Sequence, residues 1–303
     1  MEKCSKCKRD AVIYLAYANV HQCEIHFCRM FEKRFFATIR DTCKIKRNER
    51  VAVGLSGGKD STVMLYLLDK LKQKLPFELI AITIDEGIKG YRNESLEIAK
   101  KTVKDMKIEH RIFTFKKEVG KTLDQIMERK KGIPCSYCGV SRRYLLNKTA
   151  REVKADKLAI GHNLDDIAQT TFMNIMRNEP LRLIRYLNPT ESDDKFVPRI
   201  KPLIRSPEKE VAIYALLKGI NIHSQECPYA HFAFRQQIRH HINELEERYP
   251  GIKFKILNSF LALQKYVDRA AIPNEHELKK CSKCGEPTSA NVCKFCEIVE
   301  SVN

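Results

Sequence analysis

Short apolar or β-branched runs punctuate the middle of the chain: Val51–Leu55, Leu79–Ile84, His110–Phe115 and Lys157–Ile160. Their length suits strands covered on both faces. Between and after them, Ser61–Lys74, Asn93–Met106, Val119–Lys130, Gly139–Val153 and Asp165–Arg177 repeat apolar residues at helical spacing. This alternation predicts an α/β fold with a doubly wound parallel sheet. Ligands of such folds bind beyond the carboxyl ends of the strands. The segments after the first, second and fourth strands are therefore expected to meet in one crevice: Ser56–Ser61, Asp85-Glu86 and Gly161-His162-Asn163-Leu164-Asp165-Asp166.

Around that region the pattern changes. Residues 1–28 are short and cysteine-rich, 29–48 form a basic linker with a helix from Met30 to about Cys43, 49–270 carry the α/β pattern, and 271–303 open on Ile272-Pro273-Asn274 and hold a second cysteine cluster. No internal repeat is visible beyond the echo between the two clusters.

The segment Ser56-Gly57-Gly58-Lys59-Asp60-Ser61 joins a strand to a helix. Glycines there let backbone N–H groups approach phosphate oxygens, and the helix dipole favours negative charge. The Walker A pattern G-x-x-x-x-G-K-S/T fails, because Val53 stands where its first glycine belongs and Asp60 follows the lysine. What remains, Ser-Gly-Gly-Lys-Asp-Ser, resembles the PP-loop of the N-type ATP pyrophosphatases. That resemblance implies cleavage of ATP between the α and β phosphates and transfer of AMP to a substrate oxygen.

Composition adds a partner class. The 303 residues include 55 Lys+Arg against 38 Asp+Glu, a formal net charge of +17, which suits a polyanion such as RNA. No apolar run is long enough for a bilayer and Met1–Cys7 is no signal peptide, so a cytoplasmic protein without a membrane partner is expected. The twelve cysteines then point to metal rather than disulfides.

Cys281, Cys284, Cys293 and Cys296 form two CxxC pairs, the spacing of a structural Cys₄ zinc ribbon. Cys4, Cys7, Cys23 and His26 read as a second, Cys₃His zinc site, with Cys28 as the competing fourth ligand. So short a segment draws its folding energy from the metal. Cys135 and Cys138 stand apart on a helix opened by Pro134, and Cys227 is the other cysteine in a loop-like stretch, whereas Cys43 reads as a small buried apolar residue. Three thiolates leave one position open, as in a three-ligated 4Fe–4S cluster. A redox dithiol, a persulfide-forming pair and a third zinc are alternatives.

Taken in order, the N-terminal finger, the PP-loop, Gly-His-Asn-Leu-Asp-Asp, a CxxC with a distant third cysteine and the C-terminal Cys₄ finger resemble the tRNA 2-thiouridine synthetases of the TtuA/NcsA group over nearly the whole length. The resemblance implies ATP and Mg²⁺ as cofactors, a 4Fe–4S cluster on Cys135, Cys138 and Cys227, two Zn²⁺, and tRNA as substrate. It implies adenylation of a uridine C2 oxygen, then its replacement by sulfur from sulfide or a ubiquitin-like thiocarboxylate carrier. The wobble uridine is the expected target, with a T-loop uridine as alternative, and a homodimer is compatible.

Site roles follow from this. Ser56, Gly57, Gly58, Lys59, Asp60, Ser61, Asp85, Gly161 and Asp166 are expected around ATP, with Ser56 and Ser61 donating hydrogen bonds and Lys59 neutralising the departing pyrophosphate. Asp60, with Asp165 or Asp166, is expected to hold Mg²⁺. Asp166 is the preferred catalytic aspartate and Asp165 fits a helix N-cap, while His162 is as readily a loop residue as a ligand. Cys135, Cys138 and Cys227 are the catalytic cysteines of the sulfur step. Arg142, Arg143, Arg235, Arg239, His240 and His241 are candidate RNA contacts.

Rival readings are a PP-loop tRNA cytidine thiolase, a lysidine synthetase, an amidotransferase-type synthetase or, in another class, a non-enzymatic zinc-ribbon RNA-binding protein. Lysidine synthetases need no metal, and a cytidine thiolase is not expected to carry paired terminal fingers. A binding module has no use for a PP-loop.

Overall fold

Five parallel strands form the centre: β3 (Arg50–Gly54), β4 (Glu78–Asp85), β5 (Glu109–Thr114), β6 (Lys157–Ala159) and β7 (Arg199–Ile200), in the order β5-β4-β3-β6-β7. The labels β1 (Ile13–Leu15) and β2 (Val20–Gln22) belong to an antiparallel N-terminal hairpin, and β8 (Lys279–Lys280) and β9 (Pro287–Thr288) to a C-terminal one. The computed structural model describes residues 2–129, 132–180, 182–183, 196–230, 234–266 and 279–302. The expected start of the last segment, at Ile272-Pro273-Asn274, lies outside them.

Register is set by burial. Val51, Ala52 and Val53 are fully buried, with Val51 opposite Leu79 on one side and Lys157 on the other. Because both faces of β3 are covered, its run is apolar without alternation. The order reverses at β3, so the gap between β3 and β6 is the topological switch point where such sheets bind ligands.

Helices α1 (Glu24–Thr38), α2 (Lys59–Lys72), α3 (Arg92–Asp105), α4 (Phe115–Glu118), α5 (Leu123–Arg129), α6 (Pro134–Glu152), α7 (Leu164–Met176), α8 (Glu208–Leu217), α9 (Phe234–Arg248), α10 (Ile252–Tyr266) and α11 (Lys294–Val302) surround it. One apolar cluster joins α1, α2 and α8 to a face of the sheet, through Phe27, Phe31, Phe35, Met64 and Tyr214. Phe31 stacks on Tyr214 with centroids 4.6 Å apart. A second cluster, on the opposite face, takes in Phe115, Leu145, Leu158 and the C-terminal finger through Phe295 and Ile298. Tyr144 of α6 stacks flat on Phe295 at 3.7 Å and so seats that finger on the cysteine-bearing helix.

Four local expectations change. The linker helix starts at Glu24, not Met30, with Cys23 as its N-cap, so the first finger's last ligands open the helix. It ends in a π-turn over Ile39–Cys43, closed by Lys44 in the left-handed region. The helix expected at Val119–Lys130 starts only at Leu123, as α5, because Gly120 turns at φ +92° inside the expected span, and the short α4 precedes it unannounced. The helix whose apolar spacing starts at Gly139 begins at Pro134, the proline read as opening it, which places both cysteines in its first two turns. Strand β7 was not expected; two residues are too few to show a period. Cys43 is buried as an apolar residue, and burial pushes its thiol up to about 11.

Candidate active site

The loop after β3 is folded by its own hydroxyls. Ser61 Oγ donates to the Gly58 carbonyl at 3.1 Å and lies 3.0 Å from Ser56 Oγ, and the Ser56 N–H donates to Ser61 Oγ at 3.1 Å. Ser61 is buried, so its hydroxyl shapes the loop, whereas it had been expected to face a ligand. Gly57 sits at φ +85°, and a Cβ there would lie 2.0 Å from the Ser95 carbonyl oxygen. Only glycine fits this close backbone approach. Gly58 is the N-cap of α2, which leaves the first N–H groups of the helix open to an anion.

The loop after β6 closes against it. A Cβ on Gly161 would come within 3.1 Å of the Ser61 nitrogen. Asn163 caps α7 with a reciprocal capping box, accepting from the Asp166 N–H at 3.0 Å while its own N–H donates to Asp166 Oδ2 at 3.1 Å. Asn163 also donates from its side-chain amide to Asp60 Oδ1 at 2.9 Å. The cap is therefore Asn163, not Asp165. The Asn-x-x-Asp spacing was a visible signal for it. Asp165 is buried, accepts the Glu208 N–H at 2.7 Å and pairs with Lys253.

Asp60 and Asp166 are drawn into one electrostatic group. Burial raises the Asp60 carboxyl above its usual range against the pull of Lys59. Burial also raises Asp166 to about 6, opposed by Arg235 and reinforced by Asp60. Lys59 Nζ bonds Asp60 at 3.0 Å and Glu208 at 2.8 Å. Burial works against the charge on Lys59, but Asp60 and Glu208 hold it above the ordinary lysine value. Arg239 lies 3.3 Å from Glu208 and Arg235 lies 3.6 Å from Asp166. Asp85 ends β4 and accepts the Gly87 N–H at 2.9 Å. His162 is half-buried and is driven down to about 3 by burial and by Lys201, Arg235, Arg142 and Arg199, so it is neutral at physiological pH.

Cys135 is exposed, Cys138 and Cys227 are half-buried, and all three are free thiols. Cys135 Sγ is 4.0 Å from the Tyr229 carbonyl, which brings the Cys227 loop against the start of α6. Burial pushes Cys138 up to about 11, opposed chiefly by Arg142, with Cys227 and Cys135 also in its field. The same loop is pinned to the nucleotide loop, because the His223 N–H donates to the Gly57 carbonyl at 2.9 Å. Nothing in the sequence signals that contact, yet it sets Cys227 near the PP-loop.

Among the described residues, Cys4, Cys7, Cys23 and His26, and again Cys281, Cys284, Cys293 and Cys296, bring four ligand atoms within 4.8 Å of one another. Each set could hold one tetrahedral ion. His26 Nδ1 lies 3.3 Å from Cys4 Sγ and 3.4 Å from Cys23 Sγ, while Cys28 is buried in the apolar core beside Phe27 and Phe31. Burial works against ionising Cys4, but backbone hydrogen bonds with Cys23 and Lys6 bring it down to about 6, and Cys281 is lowered to about 6 in the same way. No helix among the described residues is long and apolar enough to cross a membrane.

A parallel sheet with a glycine-rich, non-Walker phosphate loop at its switch point defines a PP-loop nucleotide-binding protein. Residues 23–246 match the PP-loop domain family, and residues 3–28 match the N-terminal LIM domain of 2-thiouridine synthetase TtuA. The chain is 38% identical to the tRNA 2-thiolation protein NcsA of Haloferax volcanii, over 99% of each. It is 36% identical to the tRNA-5-methyluridine(54) 2-sulfurtransferase of Pyrococcus horikoshii, over 97% of this chain and 93% of that one. The solved U34-tRNA thiolase NcsA of Methanococcus maripaludis, described with its [4Fe-4S] cluster, superposes with a TM-score of 0.85 at 35% identity, covering 99% of this chain and 96% of that one. The chain belongs to this family of PP-loop tRNA 2-thiolation enzymes.

Proposed function

We propose that the chain is an ATP-dependent tRNA uridine 2-sulfurtransferase that acts on the wobble uridine. The observation that carries it is the joining of two chemistries through contacting loops. The nucleotide loop at Gly57 is hydrogen-bonded to the segment that leads into Cys227, and that segment meets the CxxC turn of α6. An adenylating loop alone serves many substrates. Three free thiols beside it supply the second half-reaction, the delivery of sulfur.

ATP would lie with its phosphates on Gly57, Gly58 and the first N–H groups of α2. Arrival of the triphosphate offers Lys59 a stronger anion than Glu208, and Lys59 then neutralises the leaving pyrophosphate. Asp60 and Asp166, brought together by Asn163, are the pair suited to Mg²⁺. The uridine C2 oxygen attacks the α-phosphorus and pyrophosphate leaves. A sulfur nucleophile then adds at C2, and AMP departs with the oxygen.

The donor set at Cys135, Cys138 and Cys227 fits a three-ligated cluster: all are unpaired and one is exposed. A cluster held by Cys135, Cys138 and Cys227 would supply Lewis-acid chemistry for sulfide-level sulfur, from inorganic sulfide or a carrier thiocarboxylate. The two fingers suit structural Zn²⁺, and the +17 charge suits the tRNA.

The full-length structural likeness to a U34 thiolase favours position 34 over position 54, the position named for the Pyrococcus relative. Mapping 2-thiouridine in tRNA from cells lacking the gene tests it. Loss at position 34 is expected; a tRNA pool that loses sulfur only at position 54 overturns the assignment.

A further inference from the structure

Glu86, one residue past β4, is 5% exposed, and Arg92 beside it is 4% exposed. A buried carboxylate persists only when paired, and here both oxygens are committed. Oε2 lies 2.9 Å from Arg92 Nε, and Oε1 lies 3.6 Å from Arg142 Nε. The Arg92 Nε–H is not aimed as a hydrogen bond, so charge holds that contact.

The two guanidiniums lead in different directions. Arg92 Nη1 donates to the Ser56 carbonyl at 2.7 Å and to Ser95 Oγ at 3.0 Å, and Nη2 donates to the Ile84 carbonyl. It thereby clamps the nucleotide loop to the end of β4. Arg142 lies on α6 one turn after Cys138, on the same helix face, and its side chain remains half exposed. A line of charge thus runs from Ser56 through Arg92, Glu86 and Arg142 to Cys138.

Pairing with Arg92 alone would neutralise Glu86. The second arginine is an excess positive charge, held where thiolates and an anionic sulfur must gather. We propose that Glu86 is a positioning residue: it aims the Arg142 guanidinium at the three-cysteine site and sets that site in fixed relation to the nucleotide loop. The proposal rests on the reading of Cys135, Cys138 and Cys227 as the sulfur-delivery site.

The test compares Glu86→Gln, Arg142→Met and the double variant in the full chain, prepared anaerobically with the cluster loaded. Pyrophosphate release, tRNA thiolation and the cluster's reduction potential are measured. Arg92 keeps its bonds to Ser56, Ile84 and Ser95 in Glu86→Gln, so pyrophosphate release is expected within about threefold of wild type while thiolation per pyrophosphate falls about tenfold. Arg142→Met, a change at a half-exposed side chain, should lower thiolation per pyrophosphate to the same extent. The double variant should be no worse than either single one. Because Glu86 acts through Arg142, the potential shift caused by Glu86→Gln should differ between the wild-type and Arg142→Met backgrounds.

Losses that multiply in the double variant, a thiolation-to-pyrophosphate ratio unchanged in Glu86→Gln, or a Glu86→Gln potential shift that is the same with and without Arg142 overturn the proposal. Iron-free wild-type protein that still thiolates tRNA would overturn the cluster reading instead. The ratio measured in that same protein still decides the role of Glu86.

Discussion

The side-chain amide of Asn163 donates to the carboxylate of Asp60 across 2.9 Å, which ties the helix after β3 to the helix after β6. The same residue caps α7. One side chain therefore sets both the entry of a helix and the orientation of an aspartate at the nucleotide loop. Asn163→Ala is expected to cost about 1–2 kcal/mol through the lost cap and to weaken ATP-dependent pyrophosphate release. Asn163→Asp retains the cap but sets a carboxylate against Asp60, so stability should recover while pyrophosphate release stays low. Thermal melts and a pyrophosphate assay on the same preparations check both; full activity in Asn163→Asp would show that Asp60 needs no positioning from this side.

At Gly57 the constraint is steric. An added Cβ would meet the Ser95 carbonyl at 2.0 Å, and the φ of +85° is itself strained for any other residue. Gly57→Ala is expected to cost about 2–4 kcal/mol and, by displacing the phosphate cradle, about a hundredfold in pyrophosphate release. Zinc content should be unchanged, because both fingers lie elsewhere. A variant with near-normal pyrophosphate release would show that the loop tolerates movement.

Much of this was legible beforehand, and the limits have physical causes. Strands β3 to β6 and the nucleotide loop were readable because β3 and β4 are buried on both faces and a glycine turn follows β3. Strand β7, at Arg199–Ile200, is too short to carry a pattern and exists because β6 offers an edge. Gly120 and the π-turn before Lys44 are local signals lost inside longer apolar stretches. Glu86, Arg92, Glu208 and His223 shape the site through partners far away in sequence, and single-chain periodicity does not encode such contacts. Asn163 was readable, since Asn followed three positions later by Asp is itself a capping signal.

Asp166 gives the apo protein a pH signature. Burial raises its carboxyl to about 6, whereas an unfolded aspartate titrates near ~4. Between these values the native state holds the proton and the unfolded state does not, so stability falls as pH rises through the window. Asp166→Asn keeps an oxygen for the Asn163 N–H and removes the half-buried charge. It should therefore raise the melting temperature above pH ~6 and lose that advantage below pH ~4. A gain that is constant with pH would mean the carboxyl titrates normally.

The fourth ligand of the N-terminal finger is open to direct measurement. His26 Nδ1 faces Cys4 and Cys23, whereas Cys28 is 4% exposed within the apolar core. His26→Ala should reduce bound zinc from about two ions to about one per chain and unfold the hairpin β1–β2, because metal binding supplies its folding energy. Cys28→Ala should leave about two ions and cost only the packing of a small buried side chain, about 1 kcal/mol. Elemental analysis of the two proteins separates the assignments: zinc lost from Cys28→Ala and kept in His26→Ala reverses them.

Lys253 of α10 reaches the buried Asp165, with side chains 12% and 7% exposed, and also bonds Asn243 of α9 at 2.7 Å. Asp165 in turn accepts the N–H of Glu208 at 2.7 Å, and Glu208 holds Lys59 at 2.8 Å. A helix remote from the phosphate loop thus fixes the acid that partners the loop lysine. Lys253→Met removes the cation and leaves a buried carboxylate with half its partners, which should cost about 3–5 kcal/mol. Pairing it with Asp165→Asn removes the orphaned charge while keeping an acceptor for the Glu208 N–H, so most of the lost stability should return. The activity readout distinguishes packing from positioning. If Asp165 serves the site by placing Glu208, the double variant recovers both its melting temperature and pyrophosphate release. Recovery of stability with release still depressed would show instead that the ion pair itself, through its charge near Lys59, tunes the nucleotide step. A single Lys253→Met variant that melts within a degree or so of wild type contradicts both, because it means the buried carboxylate never depended on its lysine.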